Sequence, residues 1–126
     1  MAMTPKHIVV VEDDPGLQVF LADVLCDAGY HVTAVATLAD ALTELARGDV
    51  DLVLSDVLLP DGQADSTLHS YAPAPCLFTS GHPDIIEHLG GRRAHYLPKP
   101  FTRPQLLDAV RHCLEMDHTQ PRPVKH

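Results

Sequence analysis

The chain has 126 residues, 45% hydrophobic and 21% charged, which suits one domain with a buried core and argues against wholesale disorder. Seventeen acidic against nine basic residues leave a formal charge of −8, which argues against a nucleic-acid-binding surface spread over the domain. No apolar run approaches a membrane span, and the first seven residues lack the apolar segment of a secretory signal. Cys26, Cys76 and Cys113 have no CxxC spacing for a disulfide framework or a zinc site. A cytoplasmic domain is the expectation.

Ile8-Val9-Val10-Val11 is a continuous β-branched run, the pattern of a strand buried on both faces. It stops at Glu12-Asp13-Asp14-Pro15-Gly16, where Asp14 before Pro15 suits a helix N-cap. Leu17, Phe20, Leu21, Val24, Leu25 and Ala28 follow at helical spacing, closed by Gly29. His31 to Ala36 reads as a second strand. Thr37 with Asp40 then caps a helix carrying Ala41, Leu42, Leu45 and Ala46, ended near Gly48. Asp51 to Asp56 is a third strand, again apolar up to an acid. Ahead of Pro73, the stretch from Gly62 offers an apolar stripe only Ala64, Leu68, Tyr71 and Ala72, so the spacing predicts a short or irregular, loosely held third helix.

Cys76 to Ser80 is a fourth strand, a helix follows from about Pro83 to Leu89, and His95-Tyr96-Leu97 is a fifth strand stopped by Pro98-Lys99-Pro100. Thr102 with Gln105 opens a last helix bearing Leu106, Leu107, Val110, Cys113 and Leu114. The domain is thus read over residues 8–116, with an N-terminal arm at 1–7 and a tail or linker start at 117–126.

Short strands alternating with helices indicate parallel βαβ units, with helices on both faces of one twisted sheet. In such sheets the ligand crevice lies at the carboxyl ends of the strands. Here those ends carry Glu12-Asp13, Asp56, Thr79-Ser80 and Lys99. Clustered carboxylates repel one another and call for a cation; an all-oxygen set suits a hard divalent ion such as Mg²⁺. A rim with a metal, a lysine, a hydroxyl and a free carboxylate can accept a phosphoryl group as an aspartyl phosphate.

Four segments, in order, resemble the receiver domains of two-component response regulators: Val11-Glu12-Asp13-Asp14-Pro15, Ser55-Asp56-Val57-Leu58-Leu59-Pro60-Asp61-Gly62, Phe78-Thr79-Ser80-Gly81 and Tyr96-Leu97-Pro98-Lys99-Pro100-Phe101. The resemblance implies a doubly wound five-stranded parallel sheet of flavodoxin-like order 2-1-3-4-5. It makes Asp56 the phosphoacceptor, with Glu12, Asp13, Asp56 and the Leu58 carbonyl as the Mg²⁺ set. Thr79 and Lys99 then bind the phosphoryl oxygens, Thr79 and Tyr96 form the switch, and Lys99–Pro100 is a cis bond. Leu58 and Gly81 fall two residues past the aspartate and the threonine, positions that influence the attacking water. Neither side chain can orient a water, which implies slow dephosphorylation.

The implied partners are a histidine kinase or histidine phosphotransfer protein and a downstream protein or output domain. A phosphorylation-dependent homodimer fits the same family, whereas direct nucleic-acid or membrane binding by this domain does not. The implied role is a signalling switch that catalyses its own phosphoryl transfer without being a turnover enzyme. The sequence departs from the family in its Glu-Asp pair and in the short polar stretch after Gly62.

Blander readings stand beside these. Asp56 alone reads as a turn acid, Glu12 and Asp13 as helix-capping acids, Thr79 as a sheet-edge hydroxyl and Tyr96 as strand packing. The nine histidines show no ligand spacing, Arg92-Arg93 reads as a solvated turn, and the cysteines read as small core residues. The alternative function is an interaction module independent of phosphate. A flavodoxin-like cofactor protein is disfavoured because Glu12-Asp13-Asp14 would repel a cofactor phosphate, and a phosphatase because the best nucleophile follows the third strand.

Overall fold

The computed structural model describes residues 4–64, 67–68, 74–81 and 95–119. In chain order these form β1 (His7–Val11), α1 (Pro15–Asp27), β2 (His31–Val35), α2 (Leu38–Arg47), β3 (Leu52–Asp56), β4 (Leu58–Leu59), β5 (Gly62–Gln63), β6 (Cys76–Ser80), β7 (His95–Pro98) and α3 (Arg103–Thr119). The main sheet has five strands in the order β2-β1-β3-β6-β7, and every pairing in it is parallel. This is the doubly wound order implied by the sequence motifs.

The uninterrupted apolar strands follow from burial on both faces. Ile8 and Val10 of β1 pack with Leu21, Val24 and Leu25 of α1 and Leu106, Val110 and Cys113 of α3. Val9 and Val11 point the other way, into a second cluster with Leu38 and Ala41 of α2, Val53 and Phe78. Alternate residues of each strand thus serve alternate cores.

Local signals set the helix ends. The Asp14 side chain accepts from the Gly16 amide at 3.1 Å, with Pro15 in the first turn of α1. Thr37 Oγ1 accepts from Asp40 N at 3.1 Å to cap α2. Thr102 and Gln105 form a reciprocal box, Gln105 Oε1 accepting from Thr102 N and Thr102 Oγ1 from Gln105 N.

Several boundaries differ from expectation. β1 begins at His7, one residue ahead of the apolar run, and the His7 amide donates to Asp51 Oδ2 at 2.7 Å. α3 continues through Thr119, because Asp117, His118 and Thr119 contain no helix breaker. Cys76 and Cys113 are buried, but Cys26 is exposed on α1, outside that helix's apolar face. Burial pushes the Cys76 and Cys113 thiols up to about 12.

Beyond β3 the chain makes an antiparallel hairpin absent from the sequence reading, β4 paired with β5 through Leu58↔Gln63 and Leu59↔Gly62. The Pro60-Asp61-Gly62 run supplies its turn. Gly62 has φ +149°, a backbone conformation that favours glycine, and a Cβ there would also crowd Leu38 Cδ1 at 3.0 Å. The expected helix from Pro83 to Leu89 lies outside the described residues, as does most of the expected third helix. Of the latter, Ala64, Thr67 and Leu68 are helical. Ala64 and Leu68 are fully buried in the α2-side cluster.

Candidate functional site

Parallel strands bring their carboxyl ends to one rim. The register pairs Val11 with Ser55, Asp56 with Thr79 and Thr79 with Leu97. The residues that terminate or follow β1, β3, β6 and β7 therefore lie side by side.

Glu12, Asp13 and Asp56 each offer a carboxylate oxygen, all within 4.8 Å of one another, a cluster that could hold a metal ion. The three differ in burial. Glu12 is 2% exposed, Asp56 is intermediate and Asp13 is open to solvent. Lys99 follows β7, its amide held to Ser80 O at 2.9 Å. Its Nζ lies 3.2 Å from Asp56 Oδ2 and 3.5 Å from Glu12 Oε1. One ammonium against three carboxylates leaves the rim anionic, and an anionic all-oxygen set matches a hard divalent cation.

Burial holds the Glu12 carboxyl above the usual carboxylate range. The Asp14 amide, which donates to Oε2 at 3.1 Å, and Lys99 partly offset it, while Asp56 adds to it. Asp14 is occupied in capping α1, which separates it from its two acidic neighbours. Asp56 Oδ1 accepts a long hydrogen bond, 3.3 Å, from Leu58 N. Leu58 begins β4 with its side chain 44% exposed at the rim.

Thr79 is 1% exposed, and among the described residues its hydroxyl has no hydrogen-bond partner. Thr79 stands one strand over from Asp56, its register partner. Tyr96 is half-buried, its ring stacked on Phe78 at 5.9 Å. The Lys99–Pro100 peptide is cis, as the motif resemblance implies. The structure thus brings Glu12, Asp13, Asp56 and Lys99 into one cluster, with Thr79 and Leu58 beside it and Tyr96 on the adjoining strand.

A family model for the response regulator receiver domain matches residues 8–111. The chain belongs to that family. Receiver domains of two-component response regulators serve phosphorylation-dependent signalling, as modules rather than as turnover enzymes. This receiver domain is similar to the DNA-binding transcriptional regulator NtrC of Rhizobium meliloti, at 30% identity over 94% of the chain and 26% of that protein. It is also similar to the response regulator protein FleR of Pseudomonas aeruginosa, at 35% identity over 85% of the chain and 24% of that protein.

The chain spans only about a quarter of each of these relatives. Among solved structures, the receiver domain of an HD domain-containing protein from Pseudomonas fluorescens superposes with TM-score 0.83 at 26% identity, covering 94% of this chain and 93% of that one. A CheY-like receiver domain from Methanospirillum hungatei shares the fold, with TM-score 0.81 at 24% identity over 91% of this chain and 98% of that one. No helix among the described residues is long and apolar enough to cross a membrane.

Two polar contacts around the site have no counterpart in the sequence reading. Asp61, in the hairpin turn, accepts from Leu38 N at 2.9 Å and Ala39 N at 3.0 Å, capping α2 from a distance. Gln18 of α1 donates through Nε2 to both Glu12 O and Val35 O, each at 3.0 Å. An aspartate in a Pro-Asp-Gly turn is a readable signal for the first. Nothing local marks the second.

Proposed function

We propose that this receiver domain accepts a phosphoryl group on Asp56 from a histidine kinase or a histidine phosphotransfer protein, with Mg²⁺ held by Glu12, Asp13, Asp56 and the Leu58 carbonyl. The observation that carries the reading is the Lys99 ammonium placed between Asp56 and Glu12. A lysine there is positioned to pair with a phosphoryl oxygen once Asp56 is modified. Bound Mg²⁺ would supply the charge that neutralises the transferring phosphoryl oxygens.

The protein's own groups do the rest. An Asp56 oxygen forms the new O–P bond as the donor's P–N bond to histidine breaks, and the imidazole leaves with a proton from solvent. Lys99 exchanges part of its pairing with Asp56 for a phosphoryl oxygen, and the Thr79 hydroxyl donates to another. The added charge of up to about two units favours one of two arrangements of Thr79, Tyr96 and the surface around them, which changes partner binding. The output is a downstream protein or an attached domain, and the setting is cytoplasmic.

Acetyl phosphate or beryllofluoride with Mg²⁺ tests the reading. After acetyl phosphate, mass spectrometry should place one hydroxylamine-labile phosphoryl group on Asp56; beryllofluoride should give the matching spectroscopic change without a covalent phosphoryl group. A chain that binds partners but takes no phosphoryl group under these conditions would instead be a phosphate-independent interaction module.

A further inference from the structure

We infer that Gln18 is a positioning residue for the metal-holding carboxylates, fixing the Glu12–Asp13 peptide so that both side chains face Asp56. The inference rests on the proposed reading of Glu12, Asp13 and Asp56 as the metal-holding set.

Glu12 lies just past β1, where ladder hydrogen bonding runs out. Its amide still donates to Val35 O at 3.0 Å, which fixes the peptide plane before Glu12. The plane after it, which carries Asp13, has its carbonyl held by Gln18 Nε2 at 3.0 Å. The same nitrogen donates to Val35 O at 3.0 Å. Both acceptors are main-chain carbonyls, so both contacts require the amide nitrogen and its two hydrogens. Gln18 therefore ties the exit of β1 to the exit of β2, with both bonds part-buried.

This matters because Asp13 is exposed to solvent. Its direction depends on the backbone that carries it. A buried carboxylate at Glu12 and an exposed one at Asp13 can share one cation only if the peptide between them keeps its orientation. Groups that orient metal ligands without touching the metal govern affinity in this way.

The test is a Mg²⁺ titration of the full chain followed through the backbone amide NMR signals of Asp13 and Asp56. It compares the unsubstituted protein with Gln18→Met, which keeps length but cannot donate, and Gln18→Glu, which is isosteric but presents acceptors. The titration runs at about pH 8, well above the glutamate range. Simple electrostatics predicts that the added carboxylate of Gln18→Glu tightens Mg²⁺ binding; loss of the clamp predicts the opposite. Both variants should bind Mg²⁺ about tenfold more weakly, the scale of lost ligand-orienting partners.

Unchanged affinity in Gln18→Met, or tighter binding in Gln18→Glu, overturns the inference while the functional reading stands. Absence of Mg²⁺-dependent shifts in the unsubstituted chain overturns both. Metal-free signals from β3, β6 and α3 report whether each variant is folded. Should Gln18→Met not fold, Gln18→Asn carries the same test, since its shorter amide cannot span both carbonyls.

Discussion

Lys99 Nζ stands 3.2 Å from Asp56 Oδ2 and 3.5 Å from Glu12 Oε1, so a single ammonium joins the last carboxylate of β3 to the buried carboxylate after β1. Those strands are neighbours in the sheet, while Lys99 arrives from the far edge after β7. The bridge therefore spans the rim and screens repulsion that neither carboxylate can escape.

Lys99→Met should lower the rate of acyl-phosphate formation from acetyl phosphate by about a hundredfold, the scale for removing one preorganised group from a charge-stabilising site. It should also make melting more responsive to Mg²⁺, because the rim loses its internal cation. Initial rates by mass spectrometry and melting curves with and without chelator measure both. A rate close to that of the unsubstituted chain would sink the role given to Lys99.

Asp56→Asn removes the nucleophile while keeping shape, and should abolish acyl-phosphate formation from any donor. In chelator the variant should be the more stable, by on the order of 1 kcal/mol, the Coulomb energy of unit charges a few ångströms apart in water. It relieves repulsions with both Glu12 and Asp13 and gives up one attraction to Lys99, which keeps Glu12. An intact phosphoryl group at another carboxylate would contradict the assignment.

Much of this architecture is legible in the sequence because its causes are local. The Ile8–Val11 run is apolar throughout because both faces are covered, and the acids at strand ends mark where the apolar runs stop. Thr37 with Asp40 and Thr102 with Gln105 cap helices within four residues of themselves. Contacts made by a side chain to distant backbone leave no such trace. Asp61 reaches Leu38 across 23 positions, and Gln18 reaches Val35 across 17. The tilted ring pair of His7 and His31, centroids 4.4 Å apart, comes from the β1–β2 register rather than from any ligand-like spacing. Leu68 shows the converse: a polar segment reads as poorly packed, yet one leucine in the right place is fully buried.

Leu58 bears on the lifetime of the phosphorylated state. Its side chain is apolar, 44% exposed at the rim, and two residues past Asp56, while Gly81, two past Thr79, has no side chain. Neither can align a water for attack on the aspartyl phosphate. Leu58→Asn should shorten the lifetime several-fold, read as decay of the acyl phosphate after donor removal. An unchanged decay would show that these positions do not set the lifetime here.

Asp61 gives a pH dependence. The Leu38 and Ala39 amides hold its carboxyl below the usual aspartate range, so its folded pKa lies below the unfolded one. The stability it contributes is fully present above the unfolded value of about 3.9 and is lost as pH falls through the folded value. Asp61→Asn should be less stable at neutral pH, and the difference should shrink at acid pH. Urea unfolding across that range measures it, and a constant difference would show that the charge is not what caps α2.

Leu68 tests whether the segment after β5 is anchored. Its side chain is fully buried in the cluster that includes Val57, Leu59, Ala64, Leu38 and Phe78, joining the hairpin beyond Asp56 to α2 and β6. Deleting a buried leucine side chain costs about 2–5 kcal/mol, through lost transfer energy and the cavity left behind. Leu68→Ala should therefore lose stability on that scale in urea unfolding, with an unchanged dependence on denaturant. Leu58→Ala, on the exposed face of the same hairpin, serves as the control and should cost less than about 1 kcal/mol. Equal small losses at both positions would mean that the segment packs as loosely as its polar composition suggests. A large loss at Leu68 alone would show that one apolar contact secures the chain beyond the hairpin.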